Sequence, residues 1–159
     1  NASGVSMMLE LAHYYKKHPP VYTMVFIAFA AEESGLIGSS WFVNHPLVAL
    51  ASIHFLINLD LLGTGDDGIM VVNGAIYKEQ YNKLVELNEQ SKLLAAVKKR
   101  GEAANSDHYP FYKRKVPCFF IYTLGGITAY HDVQDVAATL PLTKYKEVFE
   151  LITLFVNKQ

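Results

Sequence analysis

Three carboxylates stand directly after two short apolar stretches of the chain. Residues 21–31 are almost continuously apolar and lead into Glu32 and Glu33, and residues 53–59 lead into Asp60. Short apolar runs rich in β-branched and aromatic residues are typical of strands buried on both faces. Carboxylates at the ends of two such strands repel one another and lose hydration, unless a cation or hydrogen-bond donors offset that cost. A bound metal ion is the economical explanation.

The residue types favour zinc at such a place. Zinc binds histidine nitrogen and carboxylate oxygen, a catalytic zinc keeps one position for water, and a neighbouring unligated glutamate can accept a proton from that water. His131, in a polar loop late in the chain, can supply the nitrogen. A plainer interpretation also fits, because adjacent glutamates after a strand often form a solvated loop and a strand-ending aspartate often caps a turn. The spacing alone leaves both interpretations open.

The elements that would position these residues alternate between apolar strands and amphipathic helices. Apolar side chains at Val5, Met8, Leu9 and Ala12 predict an opening helix, which ends before two consecutive prolines. Residues 21–31 and 53–59 are predicted strands. The other predicted elements are a short helix at 40–44, strands at 69–72 and 116–122, a helix at 78–94, a loop at 123–139 and a final helix over 145–155.

This alternation predicts a three-layer α/β/α sandwich with a mostly parallel mixed sheet, because each buried strand needs a helix on both faces. In open α/β sheets, ligands bind beyond the carboxyl ends of the strands. Glu32, Glu33 and Asp60 fall at those ends. The predicted fold and the candidate chemistry therefore point to the same edge of the sheet.

The composition excludes several classes of function. With 159 residues, 51% of them hydrophobic, and a net charge of −1, the chain has the make-up of one globular domain. The basic cluster Lys98-Lys99-Arg100 is more typical of a solvated surface than of a nucleic-acid site. The apolar stretch 24–31 is too short to span a bilayer, and Cys118 is predicted to be a buried thiol. We therefore expect no nucleic-acid partner and no membrane span.

Five groups of residues, in order along the chain, resemble the motifs of the di-zinc exopeptidase family, which includes bacterial aminopeptidases, glutamate carboxypeptidase and glutaminyl cyclase. The resemblance covers essentially the whole chain, and five ordered motifs are far more specific than any single one. The motifs are Asn1-Ala2-Ser3-Gly4-Val5 with Leu9-Glu10-Leu11-Ala12, Ala31-Glu32-Glu33-Ser34-Gly35-Leu36-Ile37-Gly38-Ser39, Asn58-Leu59-Asp60, Ser106-Asp107-His108, and Tyr130-His131.

The resemblance implies a role for each matching residue. Glu32 resembles the general base that takes a proton from the metal-bound water and passes it to the leaving amine. Glu33 and His131 resemble ligands of one zinc, and Asp60 resembles a carboxylate ligand of the other. Tyr130 resembles a tyrosine whose hydroxyl stabilises the oxyanion of the tetrahedral intermediate, although simple packing beside the loop is an equal alternative. The implied cofactor of the full-length protein is thus two zinc ions.

Two further positions carry weaker expectations. Ser106 and His108 belong to a motif that lines the site in the family, but an N-cap serine and a structural histidine are the preferred interpretation, and His108 is not the expected ligand. Asp135 lies four residues after His131, where it either orients that ligand or caps the turn.

The resemblance also implies parts of the site that lie outside these residues. In the family, a His-x-Asp motif and a bridging aspartate come before the sequence that matches Asn1-Ala2-Ser3-Gly4. Residues 1–159 are therefore expected to be the C-terminal portion of a single catalytic domain with a phosphorylase/hydrolase-like fold, lacking its N-terminal strands. We expect this chain alone to bind zinc weakly or not at all and to be inactive, and its uncovered sheet edge to favour self-association.

The expected function of the full-length protein is that of a zinc-dependent metallo-exopeptidase, an aminopeptidase acting on peptide substrates, with carboxypeptidase and dipeptidase activities left open. A glutaminyl cyclase-like acyltransferase is one alternative, but Tyr130 stands before His131 where cyclases tend to have tryptophan. The other alternative is a binding or receptor domain of the same fold that has lost its metals. By resemblance alone, the protein is expected to be secreted or periplasmic.

Overall fold

The computed structural model describes residues 1–127 and 129–158. This part of the chain contains five α-helices and four β-strands, with single 3-10 turns at Leu50–Ser52 and Ala137–Thr139. In chain order they are α1 (Ala2–Lys17), α2 (Ile37–Asn44), β1 (Leu56–Leu59), β2 (Gly68–Val72), α3 (Lys78–Ser91), β3 (Val97–Lys99), α4 (His108–Lys113), β4 (Cys118–Leu124) and α5 (Tyr145–Val156).

The four strands form one mixed sheet in the order β1-β4-β2-β3. β1 runs parallel to β4 and β2 runs parallel to β3, while β2 and β4 are antiparallel. Leu59, the last residue of β1, pairs with Ile121. The carboxyl ends of β1 and β4 therefore open at the same edge of the sheet, where Asp60 follows β1.

Helices cover both faces of this sheet, so the structure confirms the predicted α/β sandwich. Helices α1, α3 and α5 pack together on one face around a core that includes Met7, Leu151, Phe155 and Phe119. Helices α2 and α4 pack together on the other face around Phe42, Val43, Phe111 and Val116. β4 lies between the two layers with five of its seven residues buried, as its continuous apolar sequence predicts.

The prediction of a strand at residues 21–31 is wrong. The segment is extended beside β1, and its side chains alternate in the manner of a strand: Met24 and Phe26 pack against one core, whereas Ile27 and Phe29 pack against the other. Among the described residues, however, no ladder hydrogen bond joins the segment to β1. An apolar run becomes a strand only where a neighbour supplies backbone partners. The self-association expected of an uncovered edge stays a prediction.

Two short elements were not anticipated from the sequence. β3 is an edge strand within the basic cluster, with Lys98 and Lys99 exposed, so its pairing leaves little trace in the hydrophobic pattern. Helix α4 contains Pro110, which a helix tolerates in its first turn. The predicted loop at 123–139 is largely irregular as expected, apart from the end of β4 and one 3-10 turn; Thr128 in that loop lies outside the described residues.

No helix in the described part of the chain combines the length and apolar character that crossing a bilayer requires.

Candidate active site

A tight turn presents Glu32 and Glu33 at the end of the extended segment. The carbonyl of Glu32 accepts hydrogen bonds from the N–H groups of Gly35 and Leu36, at 3.0 and 2.9 Å. Ala31, just before the two glutamates, has a φ of 56°, a left-handed conformation that costs a non-glycine residue on the order of 1 kcal/mol. Strain of this kind often marks functional positions. The backbone therefore holds the two carboxylates in a defined place.

The first turn of α2 holds the backbone that precedes Glu32 and Glu33. The N–H groups of Ile37 and Gly38 donate to the carbonyls of Ala31 and Ala30, at 3.2 and 3.0 Å. A Cβ atom at Gly38 would lie 2.5 Å from the Ala30 carbonyl oxygen, so only glycine permits this approach of helix to turn. The Gly38 of the sequence motif thus sets the distance between α2 and the glutamates.

Asp60 enters the site from the end of β1. Its side chain is partly buried, and burial raises the pKa of its carboxyl, with a smaller contribution from the charge of Glu33. Hydrogen bonds from the Leu61 N–H and the Ser106 hydroxyl act in the opposite direction on this pKa. Ser106 in turn accepts a hydrogen bond from the Asn58 side-chain amide at 2.7 Å. Asn58 therefore fixes the hydroxyl of Ser106, which lowers the pKa of the Asp60 carboxyl.

The pKa of Glu32 depends on the other carboxylates of the site. Burial raises the pKa of its carboxyl, and the charges of Glu33, Asp60 and Asp107 raise it further. Burial also raises the pKa of Asp107, and its Oδ1 atom is buried without a hydrogen-bond partner in the described structure. Four carboxylates thus lie close together, three of them partly buried and Glu33 exposed, and a bound cation would relieve their mutual repulsion.

His131 brings the late loop to the same place. Its Nε2 atom lies 3.5 Å from Oε1 of Glu33, although both side chains are exposed, at 59% and 79%. The backbone of His131 is left-handed, with a φ of 55°. The ring of Tyr130 stacks on that of His131 at 3.9 Å. Burial raises the pKa of the Tyr130 hydroxyl, with further contributions from Glu33, Asp60 and Glu32, so Tyr130 lies within the field of the carboxylates.

The carboxylate and imidazole groups at this edge are of the types that bind zinc, but the described residues supply too few of them for a complete site. Glu33 and His131 form a pair, and Asp60 lies nearby in the same electrostatic environment. In the part of the chain that the structure describes, no three histidine, cysteine, aspartate or glutamate side chains are arranged to hold an ion. A catalytic zinc normally takes three protein ligands. Residues 1–127 and 129–158 therefore present an incomplete set of metal donors.

Among the residues with weaker expectations, Ser106 is not the N-cap of α4, because that position is held by Asp107. His108 is fully buried against Phe120, and burial lowers the pKa of its imidazole to about 4. This burial is consistent with the expected structural role, which stays a prediction. Asp135 donates its backbone N–H to the carbonyl of Asp132 at 3.0 Å. Whether its side chain orients His131 or caps the turn stays a prediction. Sequence reasoning gave no separate role to Asp107; its only signal was membership of the Ser106-Asp107-His108 motif.

Comparison with known proteins decides the family. The sequence profile of peptidase family M28 matches residues 1–156. The chain belongs to peptidase family M28. Aminopeptidase YwaD of Bacillus subtilis is 33% identical to the chain over 123 residues, which are 71% of the chain and 26% of that protein. This M28 chain therefore spans about a quarter of the length of that curated relative.

Solved structures agree with the M28 assignment. BSAP, a zinc aminopeptidase from Bacillus subtilis, superposes with a TM-score of 0.85 at 26% identity, covering 99% of the chain and 41% of that structure. A glutaminyl cyclase from Porphyromonas gingivalis superposes with a TM-score of 0.67 at 16% identity, covering 84% of the chain and 52% of that structure. The second likeness is one of fold alone. The predicted family and fold are thus confirmed.

Proposed function

We propose that the full-length protein is a zinc-dependent exopeptidase, specifically an aminopeptidase that hydrolyses N-terminal peptide bonds. The observation that carries the proposal is the meeting of Glu33 and His131, at 3.5 Å, beside the carboxylates of Glu32 and Asp60. These residues come from three separate parts of an M28 chain and converge beyond the carboxyl end of a strand, where open α/β sheets bind ligands. The relatives named as aminopeptidases support the choice of reaction.

In this proposal, Glu33 and His131 would hold one zinc ion and Asp60 would contribute to a second. A zinc ion there supplies Lewis-acid polarisation of the peptide carbonyl and an acidified water. Further donors are needed for both ions, because catalytic zinc takes three protein ligands. The chain's part in the metal centre is thus three donors and the turns that hold them.

Glu32 is the proposed proton carrier. Its carboxylate takes a proton from the attacking water and delivers that proton to the amine as the peptide C–N bond breaks. The new C–O bond is formed by the same water, so the products are a free amino acid and a shortened peptide. The tight turn at residues 31–38 keeps the base in place while it gains and loses the proton.

Tyr130 is proposed to donate a hydrogen bond from its hydroxyl to the oxyanion that develops on the carbonyl oxygen. Its 63% exposure leaves the hydroxyl accessible to a substrate. Stacking on His131 is the competing role. A phenylalanine at this position would keep the stacking and lose the hydrogen bond.

The function is tested by the type of substrate that the full-length protein cleaves. Aminoacyl p-nitroanilides with a free amino group should be hydrolysed, and the same compounds with an acetylated amino group should not. Cyclisation of N-terminal glutaminyl peptides without hydrolysis of the anilides would identify a cyclase instead. Cleavage of blocked peptides from the carboxyl end would identify a carboxypeptidase, and in either case the aminopeptidase proposal would be wrong.

The chain on its own is expected to bind zinc poorly. The described residues place only two donors, Glu33 and His131, within reach of one ion, and two ligands hold zinc much more weakly than the three or four of natural sites. Metal analysis of the purified 159-residue chain after desalting should find well under one zinc per chain. Near-stoichiometric zinc would contradict this expectation.

A further inference from the structure

The side chain of Asn1 binds the backbone on both sides of Asp60. Its Nδ2 atom donates to the carbonyl of Leu59 at 2.9 Å, and its Oδ1 atom accepts from the N–H of Leu61 at 3.3 Å. The same Oδ1 atom accepts from the N–H of Gly4 at 3.0 Å and so caps α1. One amide group therefore ties the first turn of α1 to the residues that flank a proposed metal ligand.

The backbone that Asn1 holds is in an unusual conformation. Leu61 has a φ of 55°, which L residues rarely adopt. Its carbonyl accepts hydrogen bonds from the backbone N–H and the hydroxyl of Thr123, at 3.1 and 2.6 Å. The next N–H, that of Leu62, donates to the hydroxyl of Ser3 at 3.0 Å. Such conformations persist only where surrounding groups over-determine them.

The orientation of Leu61 matters for Asp60 because Asn1 holds the backbone on both sides of Asp60, through the Leu59 carbonyl and the Leu61 N–H. Rotation of the Leu61 peptide would turn the Asp60 side chain away from the site. Gly4 makes the arrangement possible, since a side chain there would collide with the carbonyl oxygen of Leu59 and with Asn1 itself. The start of α1 and the end of β1 are thus in backbone contact.

We propose that Asn1 is a positioning residue, which fixes the left-handed Leu61 peptide and thereby aims the Asp60 carboxylate into the metal centre. This inference rests on the proposed function, in which Asp60 is a zinc ligand. The side chain of Asn1 acts through Asp60, since its hydrogen bonds go to the backbone of Leu59, Leu61 and Gly4. Loss of its two bonds to the backbone around Asp60 should therefore weaken metal binding and turnover and leave substrate binding nearly unchanged.

The test is Asn1→Ser in the full-length protein. Serine is also a favoured N-cap, so the bond to Gly4 can be retained, but a hydroxyl cannot span from the Leu59 carbonyl to the Leu61 N–H. We expect zinc affinity, measured by competition with a chromophoric chelator, and kcat each to fall roughly 10- to 100-fold, the usual effect of removing a residue that supports a ligand. KM should change less than about threefold, which is the signature of an intact substrate site.

Asn88→Ser is the matched control. Asn88 makes the same kind of two-atom clamp, donating from Nδ2 to the Leu94 carbonyl at 3.0 Å and accepting at Oδ1 from the Leu94 N–H at 2.9 Å. It lies beside the β3 edge, three strands or about 14 Å from β1 at usual strand spacing. This variant should lower the thermal midpoint and leave kcat and zinc affinity unchanged.

The outcomes are distinguishable. If wild type is an active zinc enzyme and Asn1→Ser keeps both kcat and zinc affinity, the positioning role is wrong. The same holds if both asparagine variants lose activity in proportion to their loss of thermal stability. If wild type has no metal-dependent activity, the proposed function fails, and a crystal structure of Asn1→Ser still tests the clamp: Leu61 should leave the left-handed region, and an unchanged φ would overturn the inference.

Discussion

Replacing Glu32 with glutamine should reduce kcat of the full-length protein roughly 100- to 10,000-fold, the range typical of removing a general base. Glutamine has the same size and keeps one oxygen acceptor, but it cannot take a proton from water and deliver it to the leaving amine. The neighbouring ligand Glu33 is untouched, so the zinc content should stay at the wild-type level. Steady-state hydrolysis of leucyl p-nitroanilide together with metal analysis measures both quantities.

Glu102→Gln makes the same chemical change elsewhere on the molecule. Glu102 is exposed and accepts a hydrogen bond from Tyr112 at 2.8 Å, and the structure gives it no part in the proposed site. Its kcat should match that of wild type. A Glu32→Gln enzyme that retains more than a tenth of wild-type kcat would show that Glu32 is not the proton carrier.

Replacing His131 with alanine should lower kcat/KM at least 100-fold. The variant should also lose most of the zinc at the site that His131 shares with Glu33. The loss of the imidazole leaves Glu33 as the only described donor of that pair, and an ion with fewer ligands is held more weakly. Zinc content by mass spectrometry and kcat/KM on the same preparation give the two readouts.

His45→Ala controls for the loss of an exposed, stacked imidazole. His45 stacks on Trp41 with an interplanar angle of 23°, as His131 stacks on Tyr130 at 22°, but it lies at the far end of α2. Zinc content and kcat/KM should be those of wild type. Full zinc and full activity in His131→Ala would remove His131 from the metal centre.

Much of the fold follows from local sequence patterns. β4 and α5 were predicted within two residues of their observed bounds, because β4 is a continuous apolar run and α5 has an unbroken apolar stripe. The segment at 21–31 has an equally strong pattern and is still not a strand. Strand formation depends on a hydrogen-bonding neighbour as well as on side chains, and a single segment does not encode its neighbour.

The sequence predicts the carboxylates of the candidate site from local patterns, but it predicts the position of His131 only through the family resemblance. The apolar segments before Glu32, Glu33 and Asp60 predict that these carboxylates lie at one edge of the sheet, although only Asp60 follows an actual strand, β1. The pairing of His131 with Glu33 rested on family resemblance, since no periodicity joins a loop to a turn so far away along the chain. Their 3.5 Å separation is consistent with that expectation, and the catalytic and ligand roles of these residues stay proposals.

The sequence does not reveal which residues hold the site residues in place. The bonds from Asn1 to the backbone around Asp60 and from Asn58 to Ser106 join parts of the chain that only the folded structure brings together. The left-handed backbone at Ala31, Leu61 and His131 is likewise invisible in the sequence, because these residue types rarely adopt it. All three lie at or next to a proposed site residue, although left-handed backbone also occurs away from the site, as at Lys92 and Lys115.

The most direct test of the account is hydrolysis of leucyl p-nitroanilide by the full-length protein before chelation, after dialysis against a strong chelator, and after zinc is returned. We predict activity that chelation abolishes and that zinc restores, with no hydrolysis of the acetylated substrate at any stage. Activity that survives complete removal of zinc, or its absence from the zinc-loaded protein across a broad panel of aminoacyl substrates, would contradict the assignment of a zinc-dependent aminopeptidase.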